Sequence, residues 1–388
     1  MKSDFEYIVI GLGGLGSAAA FWLSTRKGKE VLGLEQFELG HIHGESQDHS
    51  RIIRLSYHTP AYVALAQEAY DAWNALETIL GEKLIVRTGG LDLWPFGAMI
   101  PMSDYTDSLS SCGVQFELLN ANEIRKRFPA FALPDHISGL YQSQGGIVPA
   151  ARCNLAHQEL ARQQGATLLD CAPVLSILRS HDHFQVVTKN RTYGCHKLIL
   201  ANGPWTNQML SHFGMRLPLT VTQEQVTYFL PQQMVDFAPD RFPVWIWMDE
   251  PSFYGFPLFG EAAVKIGQDC GGREVTPATR TYDPDEDALQ RVQDFLRKFL
   301  PGAAGNILYT KSCLYTLTPD RDFVIDALPG VPNCYTAIGA GHAFKFASLI
   351  GRILTDLAVD GKTSSDIEPF RITRPVLQEA NPTKHWMV

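Results

Sequence analysis

The stretch that decides the fold lies near the amino terminus and reads Tyr7-Ile8-Val9-Ile10-Gly11-Leu12-Gly13-Gly14-Leu15-Gly16. Its apolar residues predict a short buried strand, and the glycines that follow match the pattern G-x-G-x-x-G. Residues 17–27 are rich in alanine and predict a helix, and residues 31–35 predict a second strand that ends in an acid. This order of elements is typical of a βαβ unit that binds a dinucleotide.

Each residue type in this unit has a physical reason. Gly11 permits a tight turn, Gly13 lets the backbone approach a pyrophosphate, and Gly16 lets the helix pack closely on the strand. Gly14 belongs to the same glycine loop at the start of the helix, where free N–H groups favour phosphate. Glu35 can accept hydrogen bonds from ribose hydroxyls, which argues against NADP and leaves FAD and NAD as candidates.

A second nucleotide contact is expected further along the chain. Residues 197–201 predict an apolar strand, and Asn202 and Gly203 end it. In many FAD enzymes the backbone near such a glycine lies beside the pyrophosphate or the adenosine. Taken alone, the same pattern also fits an ordinary turn between a strand and a loop.

Composition and charge exclude several classes of protein. The chain has 388 residues, which is enough for two domain-sized units. Its formal net charge is −8, whereas proteins that bind nucleic acid are usually basic, so no nucleic-acid partner is expected. Seven cysteines are too few for a disulfide scaffold. No apolar run is long enough to predict a membrane span, and we predict no metal site.

The amino-terminal segment imitates a secretory signal. Residues 8–23 carry no charge, as the apolar core of a signal peptide does. Asp4 and Glu6 spoil the positive flank that such a signal needs, and four glycines interrupt the run. We therefore expect no signal peptide, and the unpaired spacing of the cysteines adds to the prediction of a cytoplasmic protein.

The rest of the chain predicts a mixed α/β fold with a discontinuous Rossmann-like domain. Residues 84–95 predict a hairpin that turns at Gly89 and Gly90, and residues 343–360 predict a long helix. Residues 220–270 are rich in aromatic side chains, which suits a mixed sheet that carries a binding pocket. The predicted FAD-binding domain comprises residues 1–88, 146–218 and 311–388, and the inserted substrate domain comprises residues 89–145 and 219–310.

Further motifs occur in a fixed order along nearly the whole chain. They are Ser50-Arg51-Ile52-Ile53-Arg54, Tyr254-Gly255-Phe256-Pro257, Lys265-Ile266-Gly267, Cys313-Leu314-Tyr315-Thr316 and Gly341-His342-Ala343-Phe344-Lys345-Phe346. With the glycine loop they resemble the family of monomeric sarcosine oxidase, N-methyltryptophan oxidase and the pipecolate oxidases. The resemblance implies a monomeric oxidase of N-methyl or other secondary α-amino acids that contains covalent FAD and releases H₂O₂ from O₂.

The resemblance also implies catalytic roles. Cys313 would carry the flavin through a thioether, and Lys265 would lie beside the flavin and promote its reaction with O₂. Arg51 would also lie near the flavin, and Tyr315 matches an active-site tyrosine. From composition alone, Cys313 would be a small buried residue and Lys265 an exposed charge. The remaining expected cofactor contacts are Ser50, Val174, Gly203, Gly341, His342 and Lys345.

Substrate recognition is expected to depend on two cations. The resemblance implies that Arg54 and Lys345 share the substrate carboxylate, and the planar fork of arginine suits a carboxylate well. Without the resemblance, Arg51 and Arg54 would be interpreted as solvated charges. Tyr254 and Trp245 are candidates for pocket walls.

Two departures from the family pattern concern the pocket. Sarcosine oxidases carry a histidine that touches the substrate four residues after the lysine, and here that residue is Asp269. An acid there would repel a second carboxylate and attract a polar or basic group. The alternative, that Asp269 faces solvent or pairs with a nearby lysine or arginine, stays open. The segment before Arg51 reads Gln47-Asp48-His49-Ser50, where the family has His-Gly-Asp-Thr.

Three alternatives stay open at this point. The enzyme could oxidise a cyclic imino acid, similar to pipecolate or proline, instead of an N-methyl amino acid. A flavin-binding accessory protein without turnover would use the same fold. An NAD-dependent dehydrogenase would use the same glycine loop.

Overall fold

The computed structural model describes residues 2–385. Within this range the strands are β1 (Asp4–Ile10), β2 (Val31–Leu34), β3 (Arg51–Ile53), β4 (Val86–Arg87), β5 (Gly90–Trp94), β6 (Glu117–Asn120), β7 (Ser138–Gln142), β8 (Gly146–Val148), β9 (Thr167–Leu169), β10 (Val174–Ser180), β11 (His183–Thr188), β12 (Thr192–Leu200), β13 (Thr220–Phe229), β14 (Val244–Trp247), β15 (Phe253–Gly255), β16 (Val264–Gln268), β17 (Arg273–Glu274), β18 (Ile307–Leu317), β19 (Val324–Ala327) and β20 (Cys334–Ile338). The α-helices are α1 (Gly14–Lys27), α2 (Pro60–Leu80), α3 (Met102–Ser111), α4 (Ala121–Arg127), α5 (Ala150–Gln163), α6 (Thr206–Leu210), α7 (Glu286–Phe299) and α8 (Ala347–Asp360).

The predicted dinucleotide-binding unit is the centre of one sheet. In the described range this sheet has eight strands, and β1 lies between β12 and β2, parallel to both. Ile10, the last residue of β1, is in register with Leu200 on β12 and with Leu34 on β2. The carboxyl ends of all three strands therefore meet at one edge, where open α/β sheets bind their ligands.

At two positions on this edge, the backbone conformation or the closeness of neighbouring backbone atoms requires glycine. Gly11 has φ of +88°, and a Cβ atom on it would lie 2.4 Å from the carbonyl oxygen of Ala201. A Cβ atom on Gly16 would lie 1.8 Å from the carbonyl oxygen of Gly11. Larger residues would push α1 away from the turn, so these glycines set how closely the helix start approaches the sheet.

The second large sheet carries several of the predicted site residues. Within residues 2–385 it has nine strands, and β13 pairs with β16, β17 and β18, all antiparallel. Lys265 lies on β16, Tyr254 on β15, and Cys313 and Tyr315 on β18. The amphipathic helix α7 contributes Val292, Phe295, Leu296 and Phe299 to the hydrophobic cluster that covers one face of this sheet.

The expected hairpin at residues 84–95 is wrong. Strand β4 pairs with β8 in a small three-stranded sheet, whereas β5 pairs with β7 and β14 in the nine-stranded sheet. Gly89, with φ of +76°, therefore lies where the chain passes from one sheet to another. The predicted domain boundary at residue 311 falls inside β18, which belongs to the nine-stranded sheet. The division into two domains stays a prediction.

The predicted helix over residues 343–360 is interrupted near its start. Ala343–Phe346 forms a 3₁₀ turn, and the α-helix proper begins at Ala347. Lys345 thus lies in the connection before α8 and not in the first turn of an α-helix. Among the described residues, none of the helices is both long and apolar enough for a membrane span.

Candidate active site

A groove runs from the glycine loop into the space between the two large sheets. Its outer part is a cavity of about 610 Å³ along the carboxyl ends of β1, β2 and β12. Its inner part is a cavity of about 170 Å³ that reaches β15, β16 and β18. The two cavities share Gly14, Glu45, Asp48 and Lys311 among their lining residues, so they adjoin. An elongated ligand could lie in both.

The outer cavity is built for a ribose and a phosphate. Gly11, Gly13, Glu35, Val174 and Gly203 all line it, as the sequence predicts for a cofactor site. The helix α1 begins at this cavity with Gly13 as its N-cap residue, which has no side chain to cap the helix, and the Ser46 hydroxyl accepts a hydrogen bond of 2.8 Å from the N–H of Gly14. Free N–H groups at a helix start attract anions, so the residues present fit a dinucleotide pyrophosphate.

Glu35 is held as an ionised acceptor in the wall of the outer cavity. Its Oε2 atom accepts a hydrogen bond of 2.8 Å from the backbone N–H of Leu12. The Nε2 atom of His41 lies 3.4 Å from its Oε1 atom. Burial works to raise the pKa of Glu35, but the hydrogen bonds from His41 and Leu12 outweigh it and lower the pKa overall. A charged carboxylate at this position can accept hydrogen bonds from ribose hydroxyls.

Two predicted cofactor residues do not line the groove. Gly16 packs against Gly11 inside the turn, and Ser50 is buried behind the inner cavity. The carbonyl oxygen of Ser50 accepts hydrogen bonds from Lys265, at 2.9 Å, and from Arg51, at 2.8 Å. Gly16 therefore shapes the glycine loop, and Ser50 holds the Lys265 and Arg51 cations in place. Neither residue lines the groove in which a ligand would lie.

The inner cavity brings together most of the predicted catalytic and substrate residues. Aromatic side chains supply much of its wall, and cations supply most of its charge. The predicted residues that line it are Arg51, Arg54, Tyr254, Lys265, Asp269, Cys313, Tyr315, Gly341, His342 and Lys345. These residues come from widely separated parts of the chain, so the fold and not sequence proximity assembles the site.

Arg54 is a buried cation with a carboxylate partner behind it. Its Nη1 atom lies 3.3 Å from Oδ2 of Asp92, and both side chains are less than 10% exposed. The guanidinium also lies over the Tyr57 ring, 4.8 Å from its centroid. Burial tends to lower the pKa of Arg54, but the Asp92 carboxylate outweighs this and raises it, so the side chain stays charged. Sequence reasoning missed Asp92, although a lone acid inside an apolar strand is a usable signal.

Lys345 presents a second cation in the same cavity. Its Nζ atom donates a hydrogen bond of 3.0 Å to the carbonyl oxygen of His342. Burial and then the nearby Arg54 charge lower the pKa of Lys345 to about 7. Both cations line the inner cavity, and the Arg54 charge disfavours the ammonium form of Lys345. A carboxylate that bound both would relieve that repulsion.

Carboxylate binding should therefore weaken as the pH rises through about 7. Lys345 is an ammonium below its pKa of about 7 and a neutral amine above it. We expect the dissociation constant of acetate, read from the change in cofactor absorbance, to increase between pH 6 and pH 9. A bound anion favours the charged form of Lys345. The pKa of Lys345 in the acetate complex will therefore lie above its pKa in the free protein.

The matched control is Lys345→Met, which removes the titrating group and retains most of the side-chain volume. In this variant acetate should bind weakly at every pH, with the slope near neutrality lost. If the variant keeps the pH dependence of the wild type, another group is responsible for it.

Lys265 is almost completely buried between the two sheets. Its Nζ atom lies 2.7 Å from Oδ2 of Asp48 and lies over the Phe256 ring, 4.7 Å from its centroid. Burial lowers the pKa of Lys265 to about 8, and the Asp48 charge limits the fall. Sequence reasoning named Asp48 only as part of a departure from the family pattern and did not predict this contact.

Cys313 opens into the inner cavity beside two cations. It lies on β18 opposite Glu224 of β13, and its side chain is half-buried. Burial raises the pKa of its thiol to about 11, with the Glu224 carboxylate acting in the same direction, while Arg51 and Lys265 act in the opposite direction. Arg51 is fixed by hydrogen bonds to the carbonyl oxygens of Ser50 and Glu45. The thiol thus has nearby positive charge that would stabilise a thiolate.

The structure places Asp269 in an ion pair at the wall of the inner cavity. The side chain lines the inner cavity, but its Oδ2 atom lies 3.3 Å from Nη2 of the fully buried Arg321. Arg321 also contacts the Sγ atom of Cys270 and the carbonyl oxygen of Ala340. The pair has no net charge, so the expected repulsion of a second carboxylate is largely offset. Sequence reasoning missed Arg321, for which the local sequence offers no signal.

The expectation for Trp245 is wrong. The residue is 1% exposed and its ring stacks on Phe295 of α7, with 5.5 Å between centroids. It belongs to the hydrophobic cluster between the nine-stranded sheet and α7 and is not among the residues that line the cavity. Neighbours on a strand face opposite sides of the sheet, and Ile246 lines the cavity in its place.

The glycine loop, the acidic strand end and the groove define the class as a dinucleotide-dependent α/β enzyme. Its catalytic cavity lies between a Rossmann-like sheet and a mixed sheet. Residues 6–357 match the family model described as FAD dependent oxidoreductase. The chain belongs to this family, and FAD is its cofactor.

Curated relatives match over nearly the full length of the chain. The monomeric sarcosine oxidase of Arthrobacter sp. is 32% identical, with 98% of each chain covered. The N-methyl-L-tryptophan oxidase of Escherichia coli is 30% identical over 95% of this chain and 99% of the relative. These matches confirm the resemblance expected from the motifs.

One solved structure extends the comparison to the backbone. It is a mutant of NikD, an unusual amino acid oxidase essential for nikkomycin biosynthesis. The TM-score is 0.86 and the sequence identity 28%, over 95% of this chain and 97% of that one. The mixed α/β fold predicted from the sequence is therefore confirmed.

Proposed function

We propose that the protein is an oxidase of N-methyl or other secondary α-amino acids. The observation that carries the proposal is the pair of cations, Arg54 and Lys345, in the same cavity as Lys265 and Cys313. A carboxylate bound to that pair would hold an amino acid in the inner cavity. The names of the relatives, which act on sarcosine and N-methyl-L-tryptophan, support the choice of an N-methylated substrate.

The residues of this chain bind and orient in this reaction. FAD, when bound, would accept a hydride equivalent from the carbon next to the amine nitrogen, which leaves an imine for water to hydrolyse. Arg54 and Lys345 would anchor the carboxylate, and the aromatic walls formed by Tyr254 and Tyr315 would exclude water from the amine. No dedicated base is required, because a neutral amine needs no proton removed before the transfer.

We further propose that Lys265 promotes the reaction with O₂ to give H₂O₂. Negative charge develops on O₂ as it accepts electrons, and a fixed ammonium in a buried site stabilises that charge. The burial of Lys265 and its contact with Asp48 support this role, because both hold the ammonium in one place.

The cofactor is proposed to be covalently attached through Cys313, in a protein that acts as a monomer in the cytoplasm. All seven cysteines are free in the part of the chain that the structure describes, as is usual in a reducing compartment. The opening of Cys313 into the inner cavity, beside Arg51 and Lys265, supports the attachment.

The attachment predicts that Cys313→Ser releases the flavin. Acid-precipitated wild-type protein should stay yellow, because a thioether survives denaturation, whereas the variant should lose its colour to the supernatant. Cys270→Ser is the matched control, since Cys270 is another cysteine close to the cavity. Its precipitate should stay yellow. Release of the flavin from denatured wild type would overturn the assignment.

A cyclic secondary amino acid fits the same anchor and is the second candidate. The Asp269–Arg321 pair at the cavity wall offers both a hydrogen-bond acceptor and a donor to a polar ring or side chain. A screen of N-methyl amino acids against pipecolate and proline, read as O₂ consumption and H₂O₂ release in equal amounts, separates the candidates. Failure of every carboxylate-bearing secondary amine would contradict the proposed function.

A further inference from the structure

Asp48 lies between two lysines at the junction of the two cavities. Its Oδ2 atom lies 2.7 Å from Nζ of Lys265, and its Oδ1 atom lies 3.1 Å from Nζ of Lys311. The Tyr228 hydroxyl donates a hydrogen bond of 2.8 Å to the same Oδ1 atom. The Asp48 side chain is only 5% exposed. A single buried carboxylate therefore contacts two ammonium groups and one hydroxyl.

The backbone conformation of Asp48 indicates that the surrounding structure holds this residue in place. Its φ is +88°, which is uncommon for a residue that is not glycine. Such a conformation persists only where the surroundings hold it, and it is found most often at functional sites. The contacts with Lys265, Lys311 and Tyr228 are the ones that hold the side chain in place.

The need for a counter-ion follows from the surroundings of Lys265. Burial disfavours the charged form, and the Arg51 guanidinium acts in the same direction. Asp48 has the largest effect that favours the ammonium, and the Cys313 side chain acts in that direction more weakly. Without the Asp48 charge, desolvation and Arg51 would increase the neutral fraction of the lysine near pH 7.

We propose that Asp48 is the counter-ion that keeps the Lys265 side chain an ammonium, with Tyr228 as the residue that positions its carboxylate and Lys311 as a second cation that competes for it. Asp48 acts through Lys265 and is therefore a positioning residue. Its importance for turnover rests on the proposed function of Lys265 in the reaction with O₂. The ionisation of Lys265 can be measured whether or not that function is correct.

Two substitutions should move the ionisation of Lys265 in opposite directions. Asp48→Asn keeps the shape and removes the charge, so the pKa of Lys265 should fall below its value of about 8. Lys311→Gln removes the cation that competes for the Asp48 carboxylate, so the Lys265 ammonium should become more stable. Asp48 also faces Arg51 and Tyr228, and these groups are unchanged in both variants.

The experiment is trace labelling of the intact holoenzyme with acetic anhydride. Only the neutral amine reacts, so the rate at Lys265, read by mass spectrometry across pH 6–10, gives its midpoint. For a fall of roughly one pKa unit, Asp48→Asn should react about five-fold faster than wild type at pH 7. Lys311→Gln should react more slowly than wild type.

The outcomes separate the counter-ion role from the function of Lys265. An unchanged midpoint in Asp48→Asn, or shifts of the same sign in both variants, would overturn the role of Asp48. If Asp48→Asn does not fold, Tyr228→Phe should show the same direction with a smaller shift, and no shift there would equally overturn it. A shifted midpoint with an unchanged rate of flavin reoxidation would uphold the counter-ion and contradict the function proposed for Lys265.

Discussion

Lys265→Met should slow the reoxidation of the reduced flavin by O₂ by about 10²–10³-fold, the usual effect of losing one preorganised charge beside a developing anion. Methionine retains much of the volume, so the buried site should keep its packing. The charge that remains in the site comes from Arg51, which is fixed by backbone carbonyls. Stopped-flow mixing of the pre-reduced variant with buffer containing O₂ gives the rate directly.

The control for this variant is the reductive half-reaction, in which the substrate reduces the flavin. Reduction of the flavin by substrate without O₂ should suffer far less in Lys265→Met, because Lys265 lies with Asp48 and not with the carboxylate anchor. Lys345→Met should show the reverse pattern, with substrate binding weakened and reoxidation nearly unchanged. Equal damage to both half-reactions in Lys265→Met would contradict the role.

Arg54→Ala should weaken the binding of every carboxylate ligand. Removing one partner of a buried charge pair typically costs about 2–5 kcal/mol, or roughly 30- to 5,000-fold in the dissociation constant. The loss here has two sources, since the variant removes an attractive cation and leaves the buried Asp92 charge without it. The measurement is a titration with acetate followed by the absorbance of the flavin.

A double variant separates the two sources of that loss. Arg54→Ala combined with Asp92→Asn removes the unpaired acid, so it should recover stability and the part of the carboxylate affinity that the Asp92 charge took away, but not the part that Arg54 itself supplied. Arg54→Lys, which keeps the charge but loses the fork, should bind better than Arg54→Ala. Full affinity in the double variant would mean that Arg54 is not the anchor.

Much of the fold was predictable because the amino-terminal unit is specified locally. The glycine loop must allow two close backbone approaches at once, at Gly11 and at Gly16, and few sequences do so. Gly11 and Gly16 therefore carried specific information about where helix and strand lie. The motifs of the inner cavity carried similar information, because their order along the chain resembled that of a known family of oxidases.

The parts that failed depend on tertiary contacts that leave no local pattern. Residues 84–95 have a sequence typical of a hairpin, but β4 pairs with β8 and β5 pairs with β7, in two different sheets. Trp245 and its neighbour Ile246 are both apolar, so sequence alone could not tell which one faces the cavity. Arg321 reaches Asp269 across 52 residues of chain, and only the fold brings them together.

The most direct test of the account is anaerobic mixing of the purified yellow protein with an N-methyl α-amino acid. The flavin absorbance should bleach in one kinetic phase that saturates with substrate, and admission of air should restore it with one H₂O₂ per flavin. The matched decarboxylated amine should bleach the flavin far more slowly, because Arg54 and Lys345 would have no carboxylate to bind. Equal bleaching by the amine, or no bleaching by any N-methyl or cyclic amino acid, would contradict an amino acid oxidase with a carboxylate anchor.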